Sequence, residues 1–151
     1  MVAPVVKSVD AIAGVHITYI KLDGTGKYPF LDNGLQRECR GPISGGAVRL
    51  APHDPERELI VGEGIECVLS AMQLFNLPGW AALSTSGVTA LELPVEVRRI
   101  VIAVDNDINR AGQEAALTAY YRWKQEGRLL RTLIPSTPGA DFNDLLRGVA
   151  S

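Results

Sequence analysis

The stretch IVIAVDND, residues 100–107, decides the fold of this chain. Its first five residues are apolar and mostly β-branched, which is typical of a strand buried on both faces of a sheet. Two acids, Asp105 and Asp107, follow at once. On extended backbone, residues two apart lean to the same side, so one cation could bridge these carboxylates. The stretch therefore predicts a central strand that delivers paired acids at its carboxyl end.

Apolar runs and helical stripes alternate on both sides of this strand. Short apolar runs predict strands, and apolar residues at helical spacing predict amphipathic helices. The predicted strands are residues 59–61, 80–83, 100–104 and 129–134, and the predicted helices cover residues 65–75 and 112–123. This alternation predicts an α/β fold with a mostly parallel sheet and helices packed on its faces.

The first 57 residues have a different pattern. Glycine and proline are frequent, and β-favouring runs at 15–21 and 47–50 lie between turn signals such as Asp23-Gly24 and Asp32-Asn33-Gly34. We expect a small antiparallel, β-rich segment over residues 1–57, packing on or preceding an α/β domain over residues 58–151.

Composition narrows the class of protein. A length of 151 residues fits one domain, and a net charge of −2 gives no general attraction to nucleic acid. Any DNA contact would have to come from local basic patches or bound cations, which argues against a pure DNA-binding module. The two cysteines, Cys39 and Cys67, lack metal-ligand spacing, so we expect a reduced, cytoplasmic protein without structural zinc. We expect neither a secretory leader nor a membrane partner.

Acidic residues follow three of the predicted strands. Glu63 comes directly after residues 59–61, and the turn DFND at 141–144 follows the last strand. Ligand sites of open α/β sheets gather at the carboxyl ends of strands, and Mg²⁺ prefers carboxylate oxygens. Each acid also has a structural alternative: Asp107, Asp141 and Asp144 as helix caps, and Glu66 as a partner of a helix dipole. The acids occur together after predicted strands, which favours a binding site over separate structural roles.

The ordered motifs resemble a known family. GEGIE at 62–66 and DND at 105–107 ahead of Gly112 are similar to the Toprim domain shared by primases, topoisomerases and some nucleases. DFNDLL at 141–146 and AVRLAP at 47–52 resemble segments of primases from phages, plasmids and mobile elements. The resemblance covers residues 58–147 and implies a Rossmann-like, mostly parallel four-stranded sheet flanked by helices, with the small N-terminal β-rich segment beside it.

The resemblance also implies roles for the acids. Glu63 would be the general acid/base or metal-positioning residue, and Asp105 and Asp107 the principal ligands of Mg²⁺ or Mn²⁺. Asp141 and Asp144 would be auxiliary acids. Replicative bacterial primases often have an aspartate four residues after the glutamate, where this chain has Cys67, so Glu66 could take over that role or have none.

Basic residues and small loops could bind phosphate. The candidates are Arg37, Arg40, Arg49, Arg110 and Lys124, with solvated surface charge as the alternative. A loop of small residues at 84–87 could offer backbone N–H groups, or could be a plain turn. His16 and His53 lack ligand spacing and receive no role. Tyr120 and Tyr121 lie within a predicted helix and are discounted as nucleophiles.

A DNA primase catalytic part is the function that the resemblance implies. It would join nucleoside triphosphates into RNA primers on a single-stranded DNA template, with a zinc-binding or helicase module elsewhere in the full-length protein. A Toprim nuclease would instead cleave DNA without added nucleotides. A non-catalytic Toprim module would bind nucleic acid regardless of magnesium and of the acids.

Overall fold

The computed structural model describes residues 1–7, 10–28 and 36–150. The predicted turn at Asp32-Asn33-Gly34 lies outside these residues. The N-terminal part forms an antiparallel sheet of β1 (Val2–Val6), β2 (Ile12–Thr18) and β3 (Arg37–Arg40), with β2 in the centre. The predicted β-rich character of this segment is therefore present, and β1 and β3 are strands that the sequence pattern did not indicate.

The second sheet is mostly parallel. Its strands are β4 (Val48–Arg49), β5 (Leu59–Gly62), β6 (Gly79–Ala81), β7 (Arg99–Ala103) and β8 (Leu129–Leu133), in the spatial order β4-β6-β5-β7-β8. Strands β6, β5, β7 and β8 run parallel, and β4 pairs with β6 in the antiparallel direction. The predicted α/β class with four parallel strands is confirmed, and β4 is a fifth, edge strand.

Helices connect the parallel strands and cover both faces of this sheet. They are α1 (Ile65–Phe75), α2 (Thr85–Ala90), α3 (Ala111–Gln125) and α4 (Phe142–Leu146). One buried cluster joins α3 and the α2 region to the sheet around the fully buried Trp123. The other joins α1, α4 and β1 around Val68 and Phe142.

Close packing sets the level at which β5 ends. Gly62 pairs with Ala81 on one side and Ala103 on the other, so three parallel strands end together. A Cβ at residue 62 would lie 2.8 Å from Val68 Cγ2, which only glycine avoids. The residues that follow these strands therefore lie near one another at a single edge of the sheet.

Two predictions about local structure are wrong. Residues 84–87 are not a loop, because Ser84 caps α2 and its side chain accepts a hydrogen bond from the Gly87 N–H at 2.9 Å. Residues 47–50 do not belong only to the small N-terminal sheet, because β4 pairs with Trp80 and Ala81.

The two sheets meet through backbone and core contacts. Val6 and Ala47 exchange backbone hydrogen bonds of 2.9 and 3.0 Å, and Val5 is fully buried in the same cluster as Val48. The division of the chain at residue 57 stays a prediction. Among the described residues, no helix is both long and apolar enough to cross a membrane.

Candidate active site

A cavity of about 270 Å³ opens at the carboxyl ends of β5 and β7, between the parallel sheet and the N-terminal sheet. Its wall on the parallel-sheet side is acidic, and the opposite wall carries basic groups. The charged residues that line it are Lys27, Arg37, Glu63, Glu66, Asp105, Asp107 and Asp141. The structure therefore brings together four of the five acids predicted to form the site.

Glu63 directly follows β5 and lines this cavity. Its backbone carbonyl accepts a hydrogen bond of 2.8 Å from the Leu83 N–H, which fixes the turn at the neighbouring strand end. Burial raises the pKa of the Glu63 carboxyl, the charges of Asp105 and Asp107 raise it further, and Arg37 opposes them. A carboxyl in this setting can hold a proton closer to neutral pH than an exposed glutamate can.

Asp105 lies where β7 ends, partly buried against α1. The Cys67 thiol donates a hydrogen bond of 2.9 Å to Asp105 Oδ1. Burial raises the pKa of Asp105, and the negative charges of Asp141, Asp107 and Asp144 raise it further, while the bond from Cys67 lowers it. The acids therefore lie close enough to repel one another.

Asn106 fastens the loop that carries the two aspartates. Its N–H donates to the Ala140 carbonyl at 3.0 Å, its carbonyl accepts from the Gly139 N–H at 2.7 Å, and its side chain donates to the Pro135 carbonyl at 2.9 Å. These bonds tie the loop after β7 to the loop before α4. Motif spacing gave Asn106 no role, although its place between two candidate ligands was a signal.

Asp107 is exposed and lines the same cavity as Asp105. It does not cap α3, because the N-cap residue is Arg110, whose φ of 61° is left-handed. Gln113 Nε2 instead donates to the Asp107 backbone carbonyl at 3.1 Å, which leaves the carboxylate for other partners.

Asp141 and Asp144 form a capping box at the beginning of α4. Asp141 Oδ1 accepts from the Asp144 N–H at 2.9 Å, and Asp144 Oδ2 accepts from the Asp141 N–H at 3.3 Å. The capping alternative for these acids therefore holds. Asp141 also lines the cavity, whereas Asp144 acts on Asp105 through its charge.

Of the four arginines predicted to bind phosphate, Arg37 lines the cavity. Arg40 is exposed and pairs with Glu38 at 3.1 Å, and Arg110 is exposed beside the aspartate loop. Arg49 lies at a different cavity, stacked 4.3 Å from the Trp80 ring centroid and paired with Asp10.

Three residues of this cavity had no role predicted from the sequence. Lys27 lies at its rim and pairs with Glu66. His16 is buried, with 5% of its surface exposed; burial lowers its pKa, and Arg37 and Lys27 lower it further. Cys67 was noted as a departure from the family pattern and given no role, yet burial and the charge of Asp105 raise the pKa of its thiol, so it is protonated and donates. Its place in the helical turn after Glu63 was a usable signal, whereas Lys27 and His16 reach the cavity only through tertiary packing.

The donor set has the chemistry that a hard cation requires. In the described parts of the chain, no group of three or more His, Cys, Asp or Glu side chains is arranged to hold a metal ion by itself. Mg²⁺ keeps several waters and binds through one or two carboxylates together with substrate phosphates. The mutual repulsion of Glu63 and Asp105 is what a divalent cation would relieve. The residues therefore fit Mg²⁺ or Mn²⁺ bound with water and phosphate.

Solved primase structures share this fold. A DnaG primase catalytic domain bound to single-stranded DNA is 18% identical with a TM-score of 0.56, and the match covers 99% of this chain and 49% of that one. The zinc-binding and RNA polymerase domains of Aquifex aeolicus primase are 15% identical with a TM-score of 0.62, covering 97% and 36%. The primase fragment of the bacteriophage T7 primase-helicase protein is 17% identical with a TM-score of 0.61, covering 97% and 57%.

At this identity the likenesses establish the fold alone, and the chain spans about half or less of the first two structures. No curated protein matches the chain at a significant level. A family model described as a Toprim domain matches residues 58–151, which contain the parallel strands and all the acids that line the cavity. Because this match covers more than half of the sequence, the chain belongs to the Toprim domain family.

Proposed function

We propose that this chain is the catalytic part of a DNA primase, which joins ribonucleotides into primers on a single-stranded DNA template. The observation that carries the proposal is the convergence of Glu63, Asp105 and Asp107 on one cavity, opposite Arg37. Acids that served only as separate helix caps would have no reason to raise one another's pKa, as Asp105 and Asp107 raise that of Glu63.

Asp105 and Asp107 would hold Mg²⁺ or Mn²⁺, with Asp141 and Asp144 as auxiliary acids. The cation, when bound, neutralises the charge that develops on the phosphates during transfer. Hydrogen bonds of Asn106 hold the loop that carries Asp105 and Asp107, so their carboxylates need little reorganisation to bind a cation.

Glu63 would accept the proton of the attacking hydroxyl. The 3′-oxygen of the growing primer bonds to the α-phosphorus of a nucleoside triphosphate, and the bond from that phosphorus to the β-phosphate oxygen breaks. Pyrophosphate leaves, and the proton of the hydroxyl passes to Glu63. Its raised pKa makes this carboxylate a stronger base than an exposed glutamate.

Arg37 would bind the triphosphate from the N-terminal sheet. It lines the cavity opposite the acids, where its charge already lowers the pKa of Glu63. Arg40 and Arg110 do not line the cavity, but both are exposed and are proposed to contact template phosphates. Arg49 lies elsewhere, so a phosphate role for it would require a second contact surface.

Single-stranded DNA, nucleoside triphosphates and a zinc-binding or helicase module are the proposed partners. The similar structures include a primase domain bound to single-stranded DNA, a primase with a zinc-binding domain and a piece of a primase-helicase. These similarities support the proposal that this chain has partners of the same kinds.

The test is primer synthesis by the full-length protein on single-stranded DNA with nucleoside triphosphates and Mg²⁺. Wild type is compared with Asp105→Asn and with a control, Glu92→Gln, whose side chain is exposed and does not line the cavity. We expect primers from wild type and control and a loss of at least about a hundredfold in Asp105→Asn.

Two other outcomes would replace the proposal. Metal-dependent cleavage of DNA without added nucleotides, lost in Asp105→Asn, would assign a nuclease. Binding of single-stranded DNA that is indifferent to Mg²⁺ and to Asp105→Asn, with no reaction, would assign a non-catalytic module.

A further inference from the structure

The Cys67 side chain lies where three elements meet at the candidate site. Cys67 lies in the first turn of α1 and is buried, with 5% of its surface exposed. Its thiol donates to Asp105 Oδ1 at 2.9 Å, and its side chain packs in the same buried cluster as Phe142. A single side chain thus connects α1, the end of β7 and the beginning of α4.

We propose that Cys67 is a positioning residue for the cation site. The thiol holds the Asp105 carboxylate by Oδ1 and leaves Oδ2 for the cation. The inference rests on the proposed function and deepens it. It names a residue that orients Asp105, a proposed cation ligand, without itself touching the cation.

The chemistry of position 67 is selective. The group there must be small and must donate to Asp105, which a thiol or a hydroxyl can do. An ionised carboxylate could not donate and would add a negative charge beside Asp105. An apolar side chain would fill the space and leave Oδ1 of a partly buried carboxylate without this donor.

Packing alone does not account for these contacts. A buried free cysteine often behaves as a small apolar side chain, and Cys67 does pack with Ile65 and Val68 in the core. That role requires neither a hydrogen bond to a carboxylate nor a position on the cavity wall, and Cys67 has both.

The experiment is Mn²⁺ titration by calorimetry of the metal-free chain. It compares wild type, Cys67→Ser and Cys67→Val, with Cys39→Ser on the exposed β3 as the control. Partners that orient a metal ligand are typically worth about 10- to 100-fold in metal affinity. We expect Cys67→Val to bind Mn²⁺ about tenfold more weakly, and Cys67→Ser and Cys39→Ser to stay within about threefold of wild type.

The possible outcomes distinguish failure of this inference from failure of the proposed function. If Cys67→Val lowers the unfolding midpoint but binds Mn²⁺ as wild type does, the role is packing and the inference is overturned. If wild type binds no Mn²⁺, the proposed cation site itself fails. If Cys67→Val does not fold, Cys67→Ala replaces it, and equal affinities in the Ser and Ala variants overturn the inference.

Discussion

The carboxyl groups of Glu63 and Asp105 lie where both burial and neighbouring acids oppose ionisation. Such an arrangement lowers the stability of the metal-free fold at neutral pH, because charges that water would solvate in the unfolded chain repel one another here. Functional sites commonly carry this kind of cost, and a bound cation would remove it.

The first prediction follows from the raised pKa of Asp105. Between the ordinary aspartate pKa of about 4 and the raised folded-state pKa, the folded protein binds more protons than the unfolded chain. The contribution of this group to stability is therefore lost as pH rises through that window. In EDTA, Asp105→Asn should be more stable than wild type at neutral pH and less sensitive to pH.

Urea unfolding at mildly acidic and at neutral pH measures both effects. The asparagine oxygen can still accept the hydrogen bond from Cys67, so the comparison reports the charge. A variant that is less stable than wild type at neutral pH would contradict this electrostatic account.

Glu66 gives the second prediction, because it lies on the cavity wall and already has a basic partner. It pairs with Lys27, and its side chain is 65% exposed. Exposed ion pairs contribute about 0–1 kcal/mol, so Glu66→Gln should change the unfolding free energy by less than about 1 kcal/mol. Its Mn²⁺ affinity should equal that of wild type. A tenfold loss of affinity in calorimetry would instead make Glu66 a ligand.

At the scale of elements, α4 depends on an acid that also faces the site. Asp141 caps this helix through a hydrogen bond to the Asp144 N–H and lines the cavity. The two roles can be separated, because asparagine keeps the capping oxygen and loses the charge, whereas alanine loses both.

The third prediction is therefore a paired substitution. Asp141→Ala should lower the unfolding free energy by about 1 kcal/mol, and Asp141→Asn should leave it nearly unchanged. Both should weaken Mn²⁺ binding equally, and by less than Asp105→Asn does, if the auxiliary role is electrostatic. Wild-type affinity in the Asn variant would leave Asp141 as a cap alone.

At the scale of the whole molecule, the N-terminal sheet forms one wall of the cavity. It is joined to the parallel sheet by the Val6 and Ala47 hydrogen bonds and by Val5, which is fully buried in the cluster that also contains Val48 and Val68. Because the core crosses the predicted division at residue 57, we expect both parts to unfold together.

The fourth prediction uses Val5→Ala. Removing buried methyl groups from this shared core should cost about 2 kcal/mol. The transitions followed by far-UV circular dichroism and by the fluorescence of Trp80 and Trp123, both in the α/β part, should stay coincident and shift together. Separate transitions would show that residues 1–57 and 58–151 fold independently.

The centre of the parallel sheet was predictable because β5 and β7 are buried on both faces. These two strands correspond to uninterrupted apolar runs at 59–61 and 100–104, and the acids were found because they come directly after these runs. The edge strand β8, LLRTL, is mostly exposed and its run is interrupted by Arg131. Strand β4 was assigned to the wrong sheet because it has two residues and its partner lies some thirty residues away. Helix α2 was missed because its residues, TSGVTA, have low helix propensity.

The opposite wall of the cavity was much less predictable. Lys27 and His16 belong to the N-terminal part, and no local pattern states that this part folds over the strand ends. Asn106 and Cys67 sit inside or beside the motifs, yet their contacts with Ala140 and Asp105 depend on the packing of α4 and α1. Local sequence thus indicates which acids are candidate metal ligands, and tertiary packing determines which residues position them.

The most direct test of the central claim is Mn²⁺ binding by calorimetry, with wild type compared with Asp105→Asn plus Asp107→Asn. The control is Asp54→Asn plus Glu92→Gln, which changes the net charge equally at exposed residues outside the cavity. We predict that wild type and control bind Mn²⁺ with similar affinity and that the double aspartate variant does not bind it. Binding that survives in the double variant, or is absent from wild type, would contradict the assignment of these strand-end acids as a cation site.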